Sequence, residues 1–382
     1  YPRSSTSRMK LDDLSHHKAM SKLTKLMDYP TLRIRQKELR AGGVFRGLGF
    51  CSMVEVTNPS PMFYGIGGAP IASQDGATVR LDAGGGLQIA SSVTEQGQGT
   101  NTILAQIAAG VFGVDIGRVR VKTGDTEVIP YGGGTWASRG AGIGGEAMLQ
   151  AALALKSQVL EVAAVILQSS PDELDIQEGQ VVGRNGSERI SLSDLARMVY
   201  YRGNELPPDL KPELIATRHY RVTDVPFVFT NAAMAAHVEV DIETGIVRVL
   251  DFWAVEDCGR VLNPLLVDEQ IRGGVVQGIG GALFEECLYS EEGQMLNASM
   301  ADYLVPMAAE MPDIHVAHVE TPTKTSSLGA KGAGEAGTGG APCAVLNAVN
   351  DALRPLDATI WQMPMTPERV LRALGVVPGA CR

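Results

Sequence analysis

Residues 325–342 read TSSLGAKGAGEAGTGGAP, and an apolar stretch, residues 344–353, follows almost at once. Small residues let the backbone approach a ligand closely. The apolar stretch predicts a buried helix whose first N–H groups can bind an anion. One carboxylate, Glu335, stands among these small residues. Such a carboxylate suits a general base working near neutral pH, although the same residues also fit a solvated loop with an incidental glutamate.

Glycine is unusually abundant in this chain and accounts for 44 of its 382 residues, where a level of about 7% is usual. The glycines show no triplet period and 45% of the residues are hydrophobic, which excludes collagen and a disordered linker protein. A net charge of -10 argues against a nucleic-acid-binding surface, which needs clustered Lys and Arg. We therefore expect a folded protein that uses backbone more than side chain to contact a ligand.

The five cysteines are widely spaced and form no C-x-x-C pair. This pattern indicates neither a disulfide framework nor a zinc or iron-sulfur site, and a reducing, cytoplasmic compartment is the simplest expectation. No uninterrupted apolar run reaches about 18 residues, so we expect no transmembrane segment.

Two similar lobes are predicted from the order of hairpins and helices. Residues 78–81 and 87–90 flank one turn, residues 237–241 and 245–249 flank another, and each hairpin is followed by a helix with a Gln beside glycines. We expect an N-terminal helical arm at residues 1–42, a first lobe at 43–202, a linker at 203–218 and a second lobe at 219–382.

Three further glycine-rich segments are candidate binding elements. Gln96, Gly97, Gln98 and Gly99 precede a predicted helix and can place amides and N–H groups around a polar ligand, or simply relieve crowding where that helix begins. Residues 272–282 contain Gln277 among glycines. Each glycine costs a helix about 1 kcal/mol in stability. The repeated glycines of this segment therefore indicate close packing against another helix or against a flat cofactor.

The third segment, residues 124–145, combines glycines with Thr135, Ser138 and Arg139, groups that can hold a phosphate. It also contains G-x-G-x-x-G at Gly140, Gly142 and Gly145. A dinucleotide site would need a strand directly before these glycines, which the sequence does not predict, so an NAD-linked dehydrogenase is only an alternative.

Six segments in this order resemble the molybdenum-binding subunit of the xanthine oxidase family. They are QGQG at 96–99, GDT at 124–126, TWASR at 135–139, DCGRVLNP at 257–264, QIRGG followed by QG at 270–278, and GAKGAGE at 329–335. The resemblance implies an α+β fold, a two-lobed molybdopterin-binding domain with mixed sheets and packed helices.

The resemblance also implies a pyranopterin molybdenum cofactor, commonly the cytosine dinucleotide form in bacteria, whose metal is held through the pterin without a protein ligand. Glu335 matches the family's catalytic base, which activates the water-derived oxygen that attacks an electron-poor carbon. The matched cofactor contacts are Gln96, Gly97, Gln98, Gly99, Thr135, Ser138, Arg139, Gln277, Lys331, Gly332, Ala333 and Gly334.

Partner chains are implied as well. The family's subunit is longer, and its first half contains a glycine-rich loop beside the metal and an arginine-containing substrate loop, neither of which occurs here. The chain is therefore expected to be either one piece of a split molybdenum subunit or a fragment of one, and to supply only part of the site. As a split piece it requires a second molybdopterin-binding polypeptide, with 2Fe-2S and FAD on further subunits. The expected reaction is oxidation of an aldehyde or an N-heteroaromatic compound, and carbon monoxide remains open because variable loops such as residues 60–73 select the substrate. A non-catalytic assembly chain is the other alternative.

Overall fold

The computed structural model describes residues 3–4, 10–63, 72–183, 186, 189–223 and 225–377. Residues 64–71 of the predicted substrate loop and Cys381 lie outside the described residues. The helices are α1 His16–Leu26, α2 Tyr29–Ala41, α3 Thr100–Phe112, α4 Gly145–Leu167, α5 Leu192–Tyr201, α6 Pro264–Leu283, α7 Ala336–Leu353 and α8 Pro367–Ala373. The strands are β1 Arg3–Ser4, β2 Lys10–Leu11, β3 Phe45–Thr57, β4 Gln74–Leu81, β5 Leu87–Ser91, β6 Val119–Lys122, β7 Leu174–Gln177, β8 Gln180–Gly183, β9 Arg189–Ser191, β10 Ile215–Arg221, β11 Val228–Val240, β12 Val247–Asp257 and β13 Asp313–His318. The predicted α+β class with mixed sheets is confirmed.

The chain divides into two compact units. Unit 1 consists of Tyr1–Glu55, Phe229–Thr321 and Ala333–Arg382, and unit 2 of Val56–Val228 and Pro322–Gly332. These boundaries differ from those of the predicted lobes. The predicted arm is part of unit 1, and the predicted linker contains the first residues of β10, which pairs with β4 in unit 2.

Unit 1 is built on a four-stranded mixed sheet in the order β13, β12, β11, β3. Strand β12 pairs antiparallel with β11 and parallel with β13. Helices α6 and α7 pack on one face against alternate β11 residues such as Met234 and Ala236. Helix α1 packs on the opposite face, where Leu23 contacts the cluster containing Ala233 and Ala235. The predicted second hairpin is confirmed, since β11 pairs antiparallel with β12 and Val240 lies opposite Val247. Both faces of β11 are buried, and the strand extends well before residue 237.

The N-terminal helical segment is broken into two helices at Asp28. This residue has φ +46°, in the left-handed region, and Pro30 follows within the first turn of α2. A proline is tolerated there because the first N–H groups of a helix have no intrahelical partner. The predicted helical arm therefore contains two helices, with α1 packed on the sheet.

Asp351 near the end of α7 joins three elements of unit 1. Its Oδ2 accepts hydrogen bonds from Arg33 Nη1 (2.6 Å), Gln36 Nε2 (2.7 Å) and the Leu48 N–H (2.9 Å). Burial opposes ionisation of this carboxyl, but the Leu48 N–H, the Gln36 amide and the Arg33 guanidinium outweigh it and lower the pKa of Asp351. The charged form is therefore favoured by folding.

We expect Asp351→Asn to lower the free energy of unfolding at pH 7 by about 1–3 kcal/mol, the usual value of a hydrogen bond to a charged group. A carboxyl whose pKa is lowered by folding stabilises the protein above its unfolded pKa, and this stabilisation is lost as the pH falls through the folded pKa. The deficit should therefore shrink below about pH 4. Urea titrations at pH 7 and pH 3 test this, with the exposed Asp313→Asn as the control. An equal deficit at both pH values would contradict it.

Glycines bring α6 and α7 into close contact. A Cβ on Gly274 would lie 2.9 Å from Gly337 Cα, and one on Gly278 would lie 2.6 Å from Ala341 Cβ. Gly274 and Gly278 therefore serve the packing of α6 against α7, which is the first of the two alternatives given for residues 272–282. Gly273 has nothing within 4 Å of its Cβ position.

These two neighbouring glycines provide a matched pair of variants. We expect Gly274→Ala to destabilise the protein by about 1–3 kcal/mol, because the methyl group meets backbone that cannot move freely. Gly273→Ala should be neutral or stabilise α6 by up to about 1 kcal/mol. Thermal and urea unfolding measure both changes. Equal effects of the two substitutions would show that α6 and α7 are not packed as closely as described.

Unit 2 contains a sheet in the order β10, β4, β5, β6 with α3 and α4 packed on it. The predicted hairpin is confirmed as β4 and β5, with Thr78 opposite Ala90. The helical stretch Gly140–Leu167 is long and apolar enough to cross a membrane by composition. However, its residues Met148, Ala151 and Leu155 are fully buried in the core of unit 2, which is the packing of a core helix.

Candidate functional site

Glu335 is the N-cap residue of α7, which begins at Ala336, eight residues before the predicted helix of residues 344–353. Its side chain is exposed in this chain. Its carbonyl oxygen accepts hydrogen bonds from the Thr338 and Gly339 N–H groups, both at 3.1 Å. Gln270 on α6 donates from Nε2 to the Gly334 carbonyl at 2.6 Å. The backbone on both sides of Glu335 is thus held in place.

Gln277 lies on the exposed side of α6 and is linked to the first turn of α7. The Thr338 hydroxyl donates to the Gln277 side-chain oxygen (3.0 Å) or to the Gly274 carbonyl (3.1 Å). In unit 1 the structure therefore brings together two of the predicted residues, Gln277 and Glu335, on two helices that pack closely.

The preceding part of the same loop belongs to unit 2 and is buried. Lys331 is 2% exposed. The Gly332 N–H donates to Thr57 Oγ1 (3.3 Å), and Asn58 Nδ2 donates to the Ala330 carbonyl (3.2 Å). A Cβ on Gly332 would lie 2.5 Å from Ser138 Cβ, so only glycine fits between these residues.

The Gln96 to Gly99 segment is organised by a residue that the motif analysis did not single out. Glu95 Oε1 accepts from the N–H groups of Gly97 (2.9 Å) and Gly99 (3.1 Å), and its Oε2 accepts from Asn101 (2.8 Å). Burial opposes ionisation of Glu95, but backbone N–H groups led by that of Asn101 outweigh it and lower its pKa. The N–H groups expected to bind a ligand here are therefore occupied by Glu95.

The two glutamines of this segment differ in what they can still contact. Gln98 donates to the Thr94 carbonyl (3.0 Å) and to Thr100 Oγ1 (2.7 Å), and its oxygen accepts from the Gln96 N–H (2.6 Å). The Gln96 side chain is exposed. Gly97, with φ +101°, has nothing within 4 Å of its Cβ position, so its backbone faces open space.

The segment containing Thr135 lies against the Gln96 to Gly99 segment. The Thr135 hydroxyl accepts from the Thr94 N–H and donates to the Thr94 carbonyl, both at 2.8 Å. Ala137 and Ser138 both have positive φ, +48° and +51°. Two consecutive non-glycine residues in the left-handed region store strain of about 1–3 kcal/mol each, a feature that is common at functional sites.

Arg139 was expected to present its charge to a phosphate, and the structure shows a different role. The guanidinium is 0% exposed and donates to Asp75 Oδ2 from Nε (2.8 Å) and Nη2, to the Ala72 carbonyl (2.8 Å) and to the Gln74 carbonyl (2.9 Å). Burial raises the pKa of Asp75, and Arg139 and the Ser92 hydroxyl oppose that shift. Since protein groups engage this guanidinium, Arg139 fixes the segment that precedes α4.

The dinucleotide motif does not have the expected context. Residues Gly140–Gly144 form a π-helical turn that leads directly into α4, and β6 ends at Lys122, well before it. A Cβ on Gly142 would lie 2.1 Å from Asn58 Nδ2, and one on Gly144 would lie 2.7 Å from Val93. These glycines serve internal packing, so the NAD-linked alternative is not favoured.

Sequence reasoning missed Glu95, Gln270, Asp75 and Asn58. Glu95 had a local signal, since an acid just before a helix can bind its first N–H groups. Asp75 and Arg139 are 64 residues apart, and no local pattern connects them. Asn58 is 1% exposed and its Oδ1 has no hydrogen-bond partner among the described residues.

A family model described as a molybdopterin cofactor-binding domain matches residues 22–312. The chain belongs to this family. The resemblance to the molybdenum-binding subunits of the xanthine oxidase family is thereby confirmed. No group of three or more His, Cys, Asp or Glu in the described part of the chain is placed to hold a metal ion.

Individual relatives give the same result. The chain is 40% identical to the nicotine 6-hydroxylase large subunit of Paenarthrobacter nicotinovorans over 92% of its length and 43% of that relative. It is 30% identical to the carbon monoxide dehydrogenase large chain of Hydrogenophaga pseudoflava, over 98% of its length and 46% of that protein. Quinoline 2-oxidoreductase from Pseudomonas putida 86 superimposes with a TM-score of 0.89 and 36% identity, over 99% of this chain and 48% of that one. The chain thus spans less than half of each relative.

Proposed function

We propose that this chain is the half of a molybdenum hydroxylase large subunit that contains the catalytic base, Glu335. The observation that supports this most directly is the position of Glu335 at the N-terminus of α7, with its carboxylate exposed and the Gly334 carbonyl held by Gln270. A base must reach the reacting group while its backbone stays fixed. This arrangement meets both conditions.

The residues of this chain fit a hydrogen-bonding cradle for a pterin. We propose Gln96, Gly97, Gln277 and the segment Lys331, Gly332, Ala333 and Gly334 as direct cofactor contacts, and Gln98, Gly99, Thr135, Ser138 and Arg139 as residues that shape the surrounding backbone. The open Cβ position of Gly97 and the buried Asn58 Oδ1, which has no hydrogen-bond partner among the described residues, support a ligand that is bound through polar contacts. No protein ligand to the metal is proposed.

When bound, the cofactor would supply an oxidising centre for a water-derived oxygen. Glu335 accepts the proton that this oxygen loses as it becomes a nucleophile, and it holds that proton on its carboxylate. Gln270 and the α7 N–H groups keep the Glu335 backbone in place, and Thr338 restrains the Gln277 amide. The protein's contribution is therefore the position of one base and of several neutral hydrogen-bonding groups.

An N-heteroaromatic ring is the substrate class that we propose. Two relatives at 40% and 36% identity are named for nicotine and quinoline, respectively, while the carbon monoxide dehydrogenase chain is 30% identical. An aldehyde is the second candidate. For a complete enzyme we propose a second molybdopterin-binding polypeptide, an iron-sulfur subunit and an FAD subunit in the cytoplasm, with the cofactor as the cytosine dinucleotide form.

The test is purification of this chain with its co-purifying partners, followed by elemental analysis and an assay in ¹⁸O-labelled water. We expect about one molybdenum per chain and label in the hydroxylated heteroaromatic product. Nicotinamide binding without molybdenum would favour the NAD-linked alternative. Neither cofactor and no turnover would favour an assembly chain.

A further inference from the structure

Two cysteines of unit 1 face each other across the contact between β3 and α7. Side chains at alternate positions of a strand point to the same face. On β3 the face that meets α7 includes Gly47 and Gly49, since a Cβ on Gly47 would lie 1.8 Å from the Ala348 carbonyl oxygen and one on Gly49 would lie 2.1 Å from that of Ala344. Cys51 is the next residue on this face.

Cys51 also contacts α7, as expected for a residue on the same face of β3 as Gly47 and Gly49. Its Sγ lies 3.5 Å from the Cβ position of Gly340 on α7, and Asn347 Nδ2 donates to the Phe50 carbonyl at 2.8 Å. Cys343 stands one helical turn after Gly340, and residues three apart are neighbours on a helix surface. The two thiols are therefore adjacent, although they come from distant parts of the sequence.

The two thiols differ in accessibility. Cys343 is exposed and Cys51 is half-buried, and neither forms a disulfide in the structure. Burial and the neighbouring Cys343 thiol raise the pKa of Cys51 to about 11. Cys51 is thus protonated and protected at neutral pH, while Cys343 can meet a reagent from solution.

We propose that Cys51 and Cys343 form a reversible disulfide between β3 and α7 when the protein meets a hydroperoxide. The exposed Cys343 sulfur attacks the peroxide oxygen and becomes a sulfenic acid, which for hydrogen peroxide releases one water. Cys51 then attacks that sulfur and loses its proton to the departing hydroxide, which leaves as the second water. The two thiols lose two electrons, and the peroxide gains them.

Such a link would join the central sheet of unit 1 to the helix that begins at Glu335. Cys343 is about two turns along α7 from that residue. The oxidised chain would therefore hold this helix covalently on β3, and thiol reductants would release it. This inference concerns thiol chemistry alone and does not depend on the proposed reaction.

The purified, assembled protein should be treated with hydrogen peroxide and then analysed by thiol titration, intact mass and peptide mapping. We expect two thiols lost per chain, a mass decrease of about 2 Da, a linked peptide containing Cys51 and Cys343, and full reversal by dithiothreitol. Cys51→Ser and Cys343→Ser should each abolish the linked peptide. The exposed Cys287→Ser should behave like the unaltered protein.

Three results would overturn the proposal. The first is that the Cys51 and Cys343 thiols are both still free after oxidation. The second is sulfinic acid at Cys343 without the linked peptide, and the third is a link that involves Cys287. Circular dichroism of each variant shows whether it is folded. Since Cys343 is exposed, its serine variant keeps the test valid even if Cys51→Ser fails to fold.

Discussion

Replacing Glu335 by Gln lowers kcat of the assembled enzyme by about a thousandfold or more, because general-base catalysis contributes about 10²–10⁴-fold and an amide cannot accept the proton. Glutamine has nearly the same shape and can still act as the N-cap residue of α7, so we expect the fold and the molybdenum content to be unchanged. Steady-state kinetics and elemental analysis of the purified complex measure the two quantities.

A matched control separates this effect from a general change of charge. Glu291 is an exposed glutamate of unit 1 that the proposed mechanism does not use, so Glu291→Gln should retain full activity. Normal turnover of Glu335→Gln would exclude the proposed role of this residue. Loss of molybdenum from that variant would instead show that Glu335 serves cofactor binding.

Replacing Arg139 by Met destabilises unit 2 by about 3–5 kcal/mol, the usual result of removing one partner of a buried ion pair. Arg139 and Asp75 both have side chains that are 0% exposed. The substitution leaves the Asp75 carboxylate buried without its counter-charge and removes the donors to two backbone carbonyls. Urea unfolding at pH 7, followed by tryptophan fluorescence and circular dichroism, measures the loss.

Two further variants show whether burial is the cause. Arg197 pairs with Asp194 on the surface, where the two side chains are 60% and 62% exposed, so Arg197→Met should cost less than about 1 kcal/mol. The double variant Arg139→Met with Asp75→Leu should recover part of the stability, because no unpaired charge remains buried. A double variant less stable than Arg139→Met would argue against an ion pair at this position.

Much of unit 2 was predictable from local sequence. The hydrophobic pattern predicts helices at residues 101–111 and 146–167 and a strand at 119–122, and the structure has α3, α4 and β6 within one or two residues of these bounds. Apolar periodicity and flanking glycines are local signals, and they report on elements with one buried face. Strand β11 is buried on both faces, so its sequence lacks the alternation of apolar and polar residues that identifies a strand with one buried face.

The sequence likewise predicts some features of the candidate site and not others. The buried helix after the glycine-rich segment followed from the apolar stretch at residues 344–353, although α7 begins eight residues earlier, at Ala336, directly after Glu335. The internal roles of Gln98 and Arg139 did not follow in this way, because they depend on partners that the motif does not contain, such as Asp75. A motif shows which residue types are available, whereas burial decides whether a side chain contacts a ligand or its own protein.

The order in which the two units fold during synthesis follows from how they are divided along the chain. Most of unit 2 is one continuous stretch, Val56–Val228, so it can fold while later residues are still being made. In unit 1, strand β3 cannot complete its packing until α7 has been synthesised. The hydrogen bond from Asn347 to Phe50, for example, spans 297 residues. Long-range pairing of this kind slows folding and leaves apolar surface exposed in the meantime. We therefore expect newly made chains to depend on chaperones chiefly until α7 has been completed.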